Sequence, residues 1–478
     1  MNRIWVGTTV WVCIAVAATL GCEGNTGPQG AMGEPGEAGA PGTPGTPGAT
    51  GAQGPAGPAG EAGATIVLSE TANQGLNISP VPLNLSGLTG PEIEQVGQGS
   101  YLVNAVGGCG DCHNNPTNNA FLAGGNKFAI GGSNFVTARN LTPDTATGLQ
   151  LTKDELITAI RTGKDFRNSP DGGTAQQLIV MPWSTFRWMS TPDLEAIYAY
   201  LKAIPAVSNT IPADSKGAAA AAQPVPFPTQ YDEGEVTRTL PAEHDAQNNP
   251  IPDPGFVLRG LAISPRAYTL SNLTVQEQGQ FGRGSYLVNA VAGCNDCHTN
   301  PDRNQATLAI NTAQYLAGGR VFAVPQPLQT TFKIVRSMSA DLLGTTHGAI
   351  ANGTLDFPQF EGLLTSGMHV EDPVPTPVAW PMPVQHFKNL MLGDMESIFV
   401  FLKNTASPSG TNDKLTQPPA RYCATSTDCL TNETCNTGTS ECVGGQCQSA
   451  ADCGACQTCT ANVCVAPATS STCLTSGI

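Results

Sequence analysis

The chain has few charged residues and few histidines for its length. Only 12% of its 478 residues are charged, and histidine occurs six times. The net charge of −15 argues against nucleic acid and anionic membrane surfaces as partners, because both repel an acidic protein. The sequence also lacks phosphate-binding glycine loops, dinucleotide fingerprints, nucleophile triads and HExxH zinc motifs. These absences exclude several large enzyme classes and leave no catalytic residue to nominate.

Cysteine is plentiful by comparison, and it is unevenly placed. Ten of the 16 cysteines fall between Cys423 and Cys473. A dense and even set of this kind is typical of disulfide modules in an oxidising compartment. A Cys-x5-Cys spacing with an aspartate before the second cysteine occurs twice in it. We therefore predict a disulfide-rich tail over residues 411–478, with its pairing open and zinc ligation as the alternative.

The N-terminus predicts export. Residues 1–21 combine an early arginine with a long uncharged run, the pattern of a signal peptide. The run ends in Leu20-Gly21-Cys22, which resembles a bacterial lipobox with the leucine one place too close to the cysteine. We predict an exported bacterial lipoprotein held through lipidated Cys22 on a periplasm-facing membrane or the cell surface. Cleavage without a lipid and an uncleaved anchor helix are the alternatives.

Residues 22–64 read as a collagen-like stalk. Glycine occupies every third position from Gly24 to Gly63, giving fourteen triplets, seven of which contain proline. This is the repeat of the collagen triple helix, in which only glycine fits at the crowded axis. The stalk could join three chains into a homotrimer or serve as an extended single-chain spacer, and the sequence leaves both open.

A near-identical segment occurs twice, at residues 95–113 and 280–298, and each copy ends in Cys-x-x-Cys-His. This motif is the attachment signature of a c-type haem. Two thiols one helical turn apart can form thioethers with both vinyl groups of one porphyrin, and the adjacent histidine can bind its iron. We therefore predict two covalent haems c, attached through Cys109, Cys112, Cys294 and Cys297, with His113 and His298 as iron ligands.

Each copy heads a mainly α-helical domain, over residues 65–207 and 271–410, joined by an Ala/Pro-rich linker over 208–270. In the first domain, one helix is predicted over residues 151–161. A later helix capped by Thr191 carries an apolar stripe of Leu194, Ile197, Tyr198 and Leu201. Met395, Ile398, Phe399 and Leu402 repeat that stripe in the second domain.

A sixth iron ligand is predicted in each domain, Met181 in the first and Met382 in the second. Each methionine precedes a proline, and the two copies align without a gap from there through the last helix. A thioether sulfur favours ferrous iron and raises the reduction potential. The second assignment has competitors, because its loop is longer and contains or adjoins Met368, His369, His386 and His347.

With these motifs in view, both domains resemble class I cytochrome c domains. More narrowly, they are similar to those of the multihaem cytochrome subunits of bacterial membrane-bound alcohol, aldehyde and gluconate dehydrogenases. The segments that carry the resemblance are residues 99–103, 109–113, 140–144, 147–148, 151–161, 181–182 and 193–201. The second domain departs from the pattern where residues 337–341 replace the Asn-Leu-Thr-Pro-Asp segment. Those subunits carry three haems, whereas this chain has two motifs.

The resemblance implies an electron carrier rather than an enzyme. Two His/Met haems would pass single electrons between a donor and an acceptor protein that the sequence does not name. A dihaem peroxidase or sulfur-compound oxidase with one open haem is the first alternative. A surface-structural lipoprotein with accessory haem is the second.

Overall fold

We describe a computed structural model of the chain. It describes residues 67–166, 176–228, 254–304, 307–324, 334–343, 355–369, 376–378, 381–408, 420–429, 434–443, 458–460 and 463–465, with single residues 329, 350 and 353. The predicted signal peptide, Cys22 and the stalk lie outside the described residues, as does His347. Every element below belongs to the unit Thr65–Ile478.

The first half of this unit, which we call the first repeat, is built from helices with short hairpins between them. Its helices are α1 (Glu70–Ile78), α2 (Gly90–Tyr101), α3 (Gly110–His113), α4 (Lys153–Thr162), α5 (Trp183–Phe186) and α6 (Thr191–Ala203). Its antiparallel hairpins are β1 (Lys127–Ala129) with β2 (Phe135–Thr137), and β3 (Lys164–Asp165) with β4 (Gln176–Gln177). A 3-10 turn, Gly217–Ala221, follows α6.

The second repeat has the same elements in the same order. Its helices are α7 (Pro254–Ile263), α8 (Val275–Tyr286), α9 (Cys294–His298), α10 (Phe357–Ser366), α11 (Val384–Phe387) and α12 (Leu392–Asn404). Its hairpins are β5 (Val321–Ala323) with β6 (Ile334–Met338), and β7 (Met368–His369) with β8 (Thr376–Pro377). Helices therefore predominate, as the sequence predicts. None of the described helices combines the length and apolar character needed to cross a membrane.

The helix ends and stripes follow from the sequence with one correction. Thr152 accepts a hydrogen bond from the Glu155 N–H, and the Glu155 carboxylate accepts from the Thr152 N–H, so α4 begins with a capping box. Helix α6 is capped by Ser190 rather than Thr191, because the Ser190 hydroxyl accepts from the Asp193 N–H at 3.1 Å. The predicted apolar stripes face the core in α6 and α12.

Each Cys-x-x-Cys-His motif is preceded by a π-helical turn that continues α2 or α8. The turns are Leu102–Val106 and Leu287–Val291, and the Gly107 and Ala292 N–H groups donate to carbonyls five residues earlier. A left-handed glycine follows each turn, at φ 56° in the first repeat and 64° in the second. Because such a φ strains any residue with a Cβ, these glycines allow the chain to turn abruptly into the motif.

The range 208–270, predicted as a linker, contains ordered contacts and a helix. Helix α7 lies within it as the first helix of the second repeat. Nearer the first repeat, Ser215 pairs with Phe135 at the edge of the β1–β2 hairpin. Asp214 and Lys216 join a buried ion network with Arg139 and Asp165. This segment therefore packs against the first repeat.

The C-terminal tail uses the equivalent edge of the second repeat. Strand β9 (Ala420–Arg421) pairs with β6, and Arg336 of β6 forms an ion pair with Glu441. The next pairs are β10 (Thr434–Asn436) with β11 (Glu441–Val443), and β12 (Thr458–Thr460) with β13 (Val463–Val465). The described disulfides, Cys423–Cys435 and Cys429–Cys442, leave no thiolate for zinc at these four cysteines.

Reciprocal hydrogen bonds join the two repeats at three places among the described residues. The Tyr101 hydroxyl donates to Asp394 at 2.6 Å, and in exchange the Tyr286 hydroxyl donates to Asp193. Gln74 on α1 donates to the Asn389 carbonyl, as its counterpart Arg259 on α7 donates to the Trp188 carbonyl. The third pair involves the Cys-x-x-Cys-His motifs and is described with the site. Exchanged contacts of this kind are the pattern of a two-fold interface, here formed within one chain.

Glycine permits close helix crossings inside each repeat. A Cβ on Gly284 of α8 would lie 1.9 Å from the Ser397 carbonyl oxygen of α12, and a Cβ on Gly99 of α2 would lie equally close to the Ala196 carbonyl of α6. No rotamer change can relieve a clash with backbone. Both crossings therefore require glycine, which has no side chain, at these positions.

We expect Gly284→Ala to lower the free energy of unfolding by about 1–3 kcal/mol, because the two helix backbones must separate. Guanidinium denaturation followed by far-UV circular dichroism measures the change. Gly393→Ala is the matched control, since it lies in α12 with no heavy atom within 4 Å of the added Cβ. Equal denaturation midpoints for the two variants would contradict the close crossing.

Candidate functional site

The four motif cysteines form two equivalent pairs without disulfides. Cys109, Cys112, Cys294 and Cys297 are the described cysteines that lack a disulfide bond. The cysteines of each pair are separated by two residues, at a short helix that ends in the motif histidine. Burial raises the pKa of Cys109 and of Cys294 to about 12. Neutral thiols of this kind do not suit a nucleophile, which needs a lowered pKa.

Both motif histidines are oriented by a backbone carbonyl. The Nδ1–H of His113 donates to the Arg139 carbonyl, and the Nδ1–H of His298 donates to the Ala340 carbonyl, each at 2.8 Å. Since a carbonyl can only accept, the proton is on Nδ1 and the lone pair of Nε2 is available to a metal. Burial lowers the pKa of each histidine, which keeps the imidazole neutral as ligation requires.

The carbonyl partners correct the sequence alignment of the two repeats. Leu141 donates its N–H to the Leu122 carbonyl, and Leu342 donates to the equivalent Leu316 carbonyl. Arg139 therefore matches Ala340, and Asn140 matches Asp341 rather than Ser337. The segment around His298 keeps the geometry of the first repeat, although its sequence had suggested a departure. The sequence alignment was wrong here because the loop between the motif histidine and this segment is longer in the second repeat than in the first.

The longer loop of the second repeat grows in two places, both before the matched carbonyls. Tyr315 follows His298 by 17 residues where Phe121 follows His113 by eight, and the β5–β6 hairpin is also longer than β1–β2. From Arg139 to Met181 and from Ala340 to Met382 the distance is the same, 42 residues. The total length from the matched carbonyl to the methionine is therefore unchanged.

The two predicted methionine ligands occupy equivalent turns. Met181 and Met382 are half-buried and pack against the hydrophobic core that the motif cysteines Cys109 and Cys294 also contact. The carbonyl of each methionine accepts a hydrogen bond from the N–H two residues later, at 2.8 Å in the first repeat and 2.9 Å in the second. A short helix, α5 or α11, begins immediately after the proline.

The residues that compete with Met382 as the sixth ligand lie in other parts of the second repeat. Met368 and His369 form strand β7, and their counterparts in the first repeat are Lys164 and Asp165 of β3. His386 lies on α11, where its Nε2 is 2.6 Å from Asp111 Oδ1. Desolvation lowers the pKa of His386, but its hydrogen bond to Asp111 and the charge of that carboxylate outweigh this and raise the pKa overall.

The contact between His386 and Asp111 is one half of the third reciprocal pair. Asp111 lies between the motif cysteines of the first repeat, whereas His386 follows the methionine of the second. In the other half, the Thr185 hydroxyl lies 2.7 and 2.8 Å from the two carboxylate oxygens of Asp296. Buried Arg303 donates to Asp296, to the Thr185 hydroxyl at 2.7 Å and to the Ser184 carbonyl at 3.1 Å.

Sequence reasoning missed this group of residues. An aspartate stands before the second cysteine of both motifs, and that shared position was the signal that could have found it. A polar residue in a haem-binding turn is also expected on a solvated surface, so the pattern alone does not reveal a partner. The partner is known only when the two repeats are placed together.

The surroundings of the two motifs differ in charge at the matched position of Asn126 and Arg320. Asn126 in the first repeat donates to the Cys112 carbonyl at 2.9 Å. Its counterpart Arg320 donates to the Asp296 carbonyl in the second repeat. Both side chains are half-buried. A neutral amide and a permanent cation thus lie beside otherwise similar turns.

These residues fit haem c as the absent group. Two neutral thiols, one neutral imidazole with its Nε2 lone pair available, and a thioether on a proline-restricted turn form the donor set of each repeat. The cysteines would hold the porphyrin, and the histidine and methionine would hold the iron. The fit is the same in both repeats.

Comparison with known proteins gives a separate match at the N-terminus. A family model for the collagen triple helix repeat (20 copies) matches residues 18–66. This agrees with the collagen-like character predicted for the stalk. The match lies outside the described residues.

Curated relatives match the chain over limited lengths. The cytochrome c subunit of the quinone alcohol dehydrogenase of Gluconobacter oxydans (strain 621H) is 36% identical over 125 residues, which is 24% of this chain and 24% of the relative. The fructose dehydrogenase cytochrome subunit of Gluconobacter japonicus is 27% identical over 231 residues, 47% of this chain and 38% of the relative. The corresponding alcohol dehydrogenase subunit of Gluconacetobacter polyoxogenes is 34% identical over 139 residues, 27% and 28% of the two chains.

The chain thus spans well under half the length of each of these relatives. The resemblance predicted from the motifs is confirmed, since the curated homologues of this chain are cytochrome c subunits of quinone alcohol dehydrogenase and fructose dehydrogenase.

Proposed function

We propose that the protein is a dihaem c-type cytochrome that carries single electrons between redox partners. The observation that carries the proposal is the duplicated motif, with disulfide-free thiols and a histidine whose Nε2 lone pair is available. Haem bound there would supply a one-electron couple. The chain itself would attach the group through its cysteines, fix the imidazole through a carbonyl and exclude water by burial.

The sixth ligands in this proposal are Met181 and Met382. Their equivalent turns support a common role, as does the equal spacing from the histidine-supporting carbonyls. The placement of Met368 and His369 in a hairpin, and of His386 against Asp111, favours Met382 over these competitors. A thioether on each iron would leave no open coordination site for peroxide, which favours a carrier over a dihaem enzyme.

The proposal extends to the location of the protein. Cys22 would carry a lipid after export, and the stalk would hold the haem repeats away from the membrane as a spacer or as a homotrimer. The relatives are subunits named for dehydrogenases, so a dehydrogenase is a reasonable class of electron donor.

The haem content is the first prediction. The mature protein should exceed its polypeptide mass by two haems, because four thiols can form four thioethers. Intact-mass spectrometry before and after acid-acetone extraction measures it. Cys294→Ala with Cys297→Ala should remove one haem and leave the other. Recovery of extractable haem, or of one haem from the unmutated protein, would contradict the attachment.

The sixth ligands give the second prediction. Met181→Ala and Met382→Ala should each remove about half of the weak sulfur-to-iron absorption of the ferric protein and lower the potential of one haem, because a thioether favours ferrous iron. Visible spectroscopy with a redox titration measures both effects.

The controls are Met391→Leu and Met189→Leu, which replace packed methionines with a side chain of similar volume. Neither should change the absorption. If Met382→Ala leaves the spectrum intact, the second ligand is a different residue. A high-spin haem in the unmutated protein that binds peroxide would favour the enzyme alternative.

The third prediction concerns the matched charge difference. Arg320→Asn should lower the potential of the second haem, and Asn126→Arg should raise that of the first, because a nearby cation favours the reduced and less positive iron. Shifts on the order of tens of millivolts are expected for a half-buried charge. Redox titration in the methionine variants assigns each shift to one haem. Arg320→Lys, which keeps the charge, should leave the potential nearly unchanged.

A further inference from the structure

Each methionine-bearing segment is held by the haem motif of the opposite repeat. Helix α5 begins two residues after Met181, and its Thr185 donates to Asp296, which lies between Cys294 and Cys297. Helix α11 begins two residues after Met382, and its His386 contacts Asp111 of the first motif. The supporting contact of each methionine therefore comes from the other half of the protein.

The approach is close on both sides of the interface. An ideal Cβ on Gly108 would lie 3.2 Å from His386 Cδ2, and one on Gly293 would lie 3.5 Å from Thr185 Cγ2. The short helices thus pack directly on the glycine turns that lead into the opposite motifs. A displacement of one motif cannot occur without moving the helix packed on it.

The two crossings differ in their polar partners. At Asp296, Arg303 is almost fully buried and donates to both the Thr185 hydroxyl and the Ser184 carbonyl, so two side chains, those of Asp296 and Arg303, hold α5. At Asp111, Gln385 is 3.3 Å away and adds a weaker contact to that of His386. Asp296 is thus supported by a buried cation, whereas His386, which holds α11 at Asp111, also has a hydrogen bond with the backbone of Asn104.

We propose that Asp111 and Asp296 are positioning residues for the methionine of the opposite repeat, so that axial ligation at each haem depends on the attachment motif of the other. The inference rests on the proposed function, because it requires haem at both motifs. It adds that the two centres form one coupled unit, in which the state of one motif changes how firmly the other iron holds its sulfur.

The test uses each methionine variant of the full-length haem-loaded protein as a background that reports on one haem only. In Met382→Ala protein, the remaining sulfur-to-iron absorption belongs to the first repeat. Adding Asp296→Ala should weaken that absorption and raise the affinity for imidazole by about tenfold, as expected from losing a charge-assisted hydrogen bond. In Met181→Ala protein, the same Asp296→Ala change should leave the absorption of the second repeat intact.

Asp111→Ala should give the mirror result, with its effect confined to the second haem. Thr185→Val keeps the shape of the side chain without its hydroxyl and should reproduce the effect of Asp296→Ala at the first haem. Thr185→Ser should restore the absorption. If the Asp296→Ala protein does not accumulate, the two Thr185 variants still test the proposal, because Thr185 lies outside both attachment motifs.

An effect of Asp296→Ala confined to its own haem would overturn the proposal, as would equal effects in both backgrounds or none in either. Intact mass must show two haems in every variant, which separates loss of positioning from loss of attachment. Failure of the proposed function would give a different result. In that case the unmutated protein would not contain two haems, or the methionine substitutions alone would leave the sulfur-to-iron absorption unaltered.

Discussion

The buried interface between the two repeats is the constraint on which the rest of the structure depends. Tyr101 and Tyr286 are fully buried, and each hydroxyl meets an aspartate near the start of the other repeat's last helix. Removing a carboxylate from water is costly unless hydrogen bonds replace the lost hydration. The Tyr101 hydroxyl and the Arg283 guanidinium provide those bonds for Asp394. Separating the repeats would expose these partners, so the haem motifs are held together by polar as well as apolar contacts.

Duplication explains why the interface is reciprocal, and later divergence explains why it is not symmetric. Matched positions hold Gln74 and Arg259, Thr185 and His386, and Asn126 and Arg320. In each pair the side chain keeps its location or its contact with the opposite backbone. The charge or the size of the side chain differs between the two repeats. If the two proposed haem centres have nearly equal ligand sets, neighbouring residues alone would give them different potentials.

The sequence was sufficient to predict features that depend on local residue patterns. It was insufficient for features that depend on how the two repeats pack against each other. Apolar periodicity and capping residues predict α4, α6 and α12, and the disulfide-rich character of the tail follows from cysteine spacing. The π turns were not predicted, because a bond to the fifth residue leaves no period distinct from an α-helix over five residues. The positions of Asp193 and Asp394 near helix starts are typical of solvated first-turn carboxylates, so their burial against tyrosine could not be foreseen. The placement of the haem ligands stays a prediction.

The hairpins show how the chain attaches its accessory segments to the two repeats. In the first repeat, the segment leaving α6 covers the hairpin edge through Ser215 and Phe135. In the second, the segment leaving α12 covers the equivalent edge through β9, and it continues into the disulfide module. An uncovered strand edge invites pairing with other chains, so both edges need such a cover. The longer hairpin of the second repeat is the one that receives the tail, and Arg336 extends the contact to Glu441. The insertion that lengthened this hairpin therefore enlarged the surface on which the tail docks, while the methionine segment beyond it kept its length and its contacts with the opposite repeat.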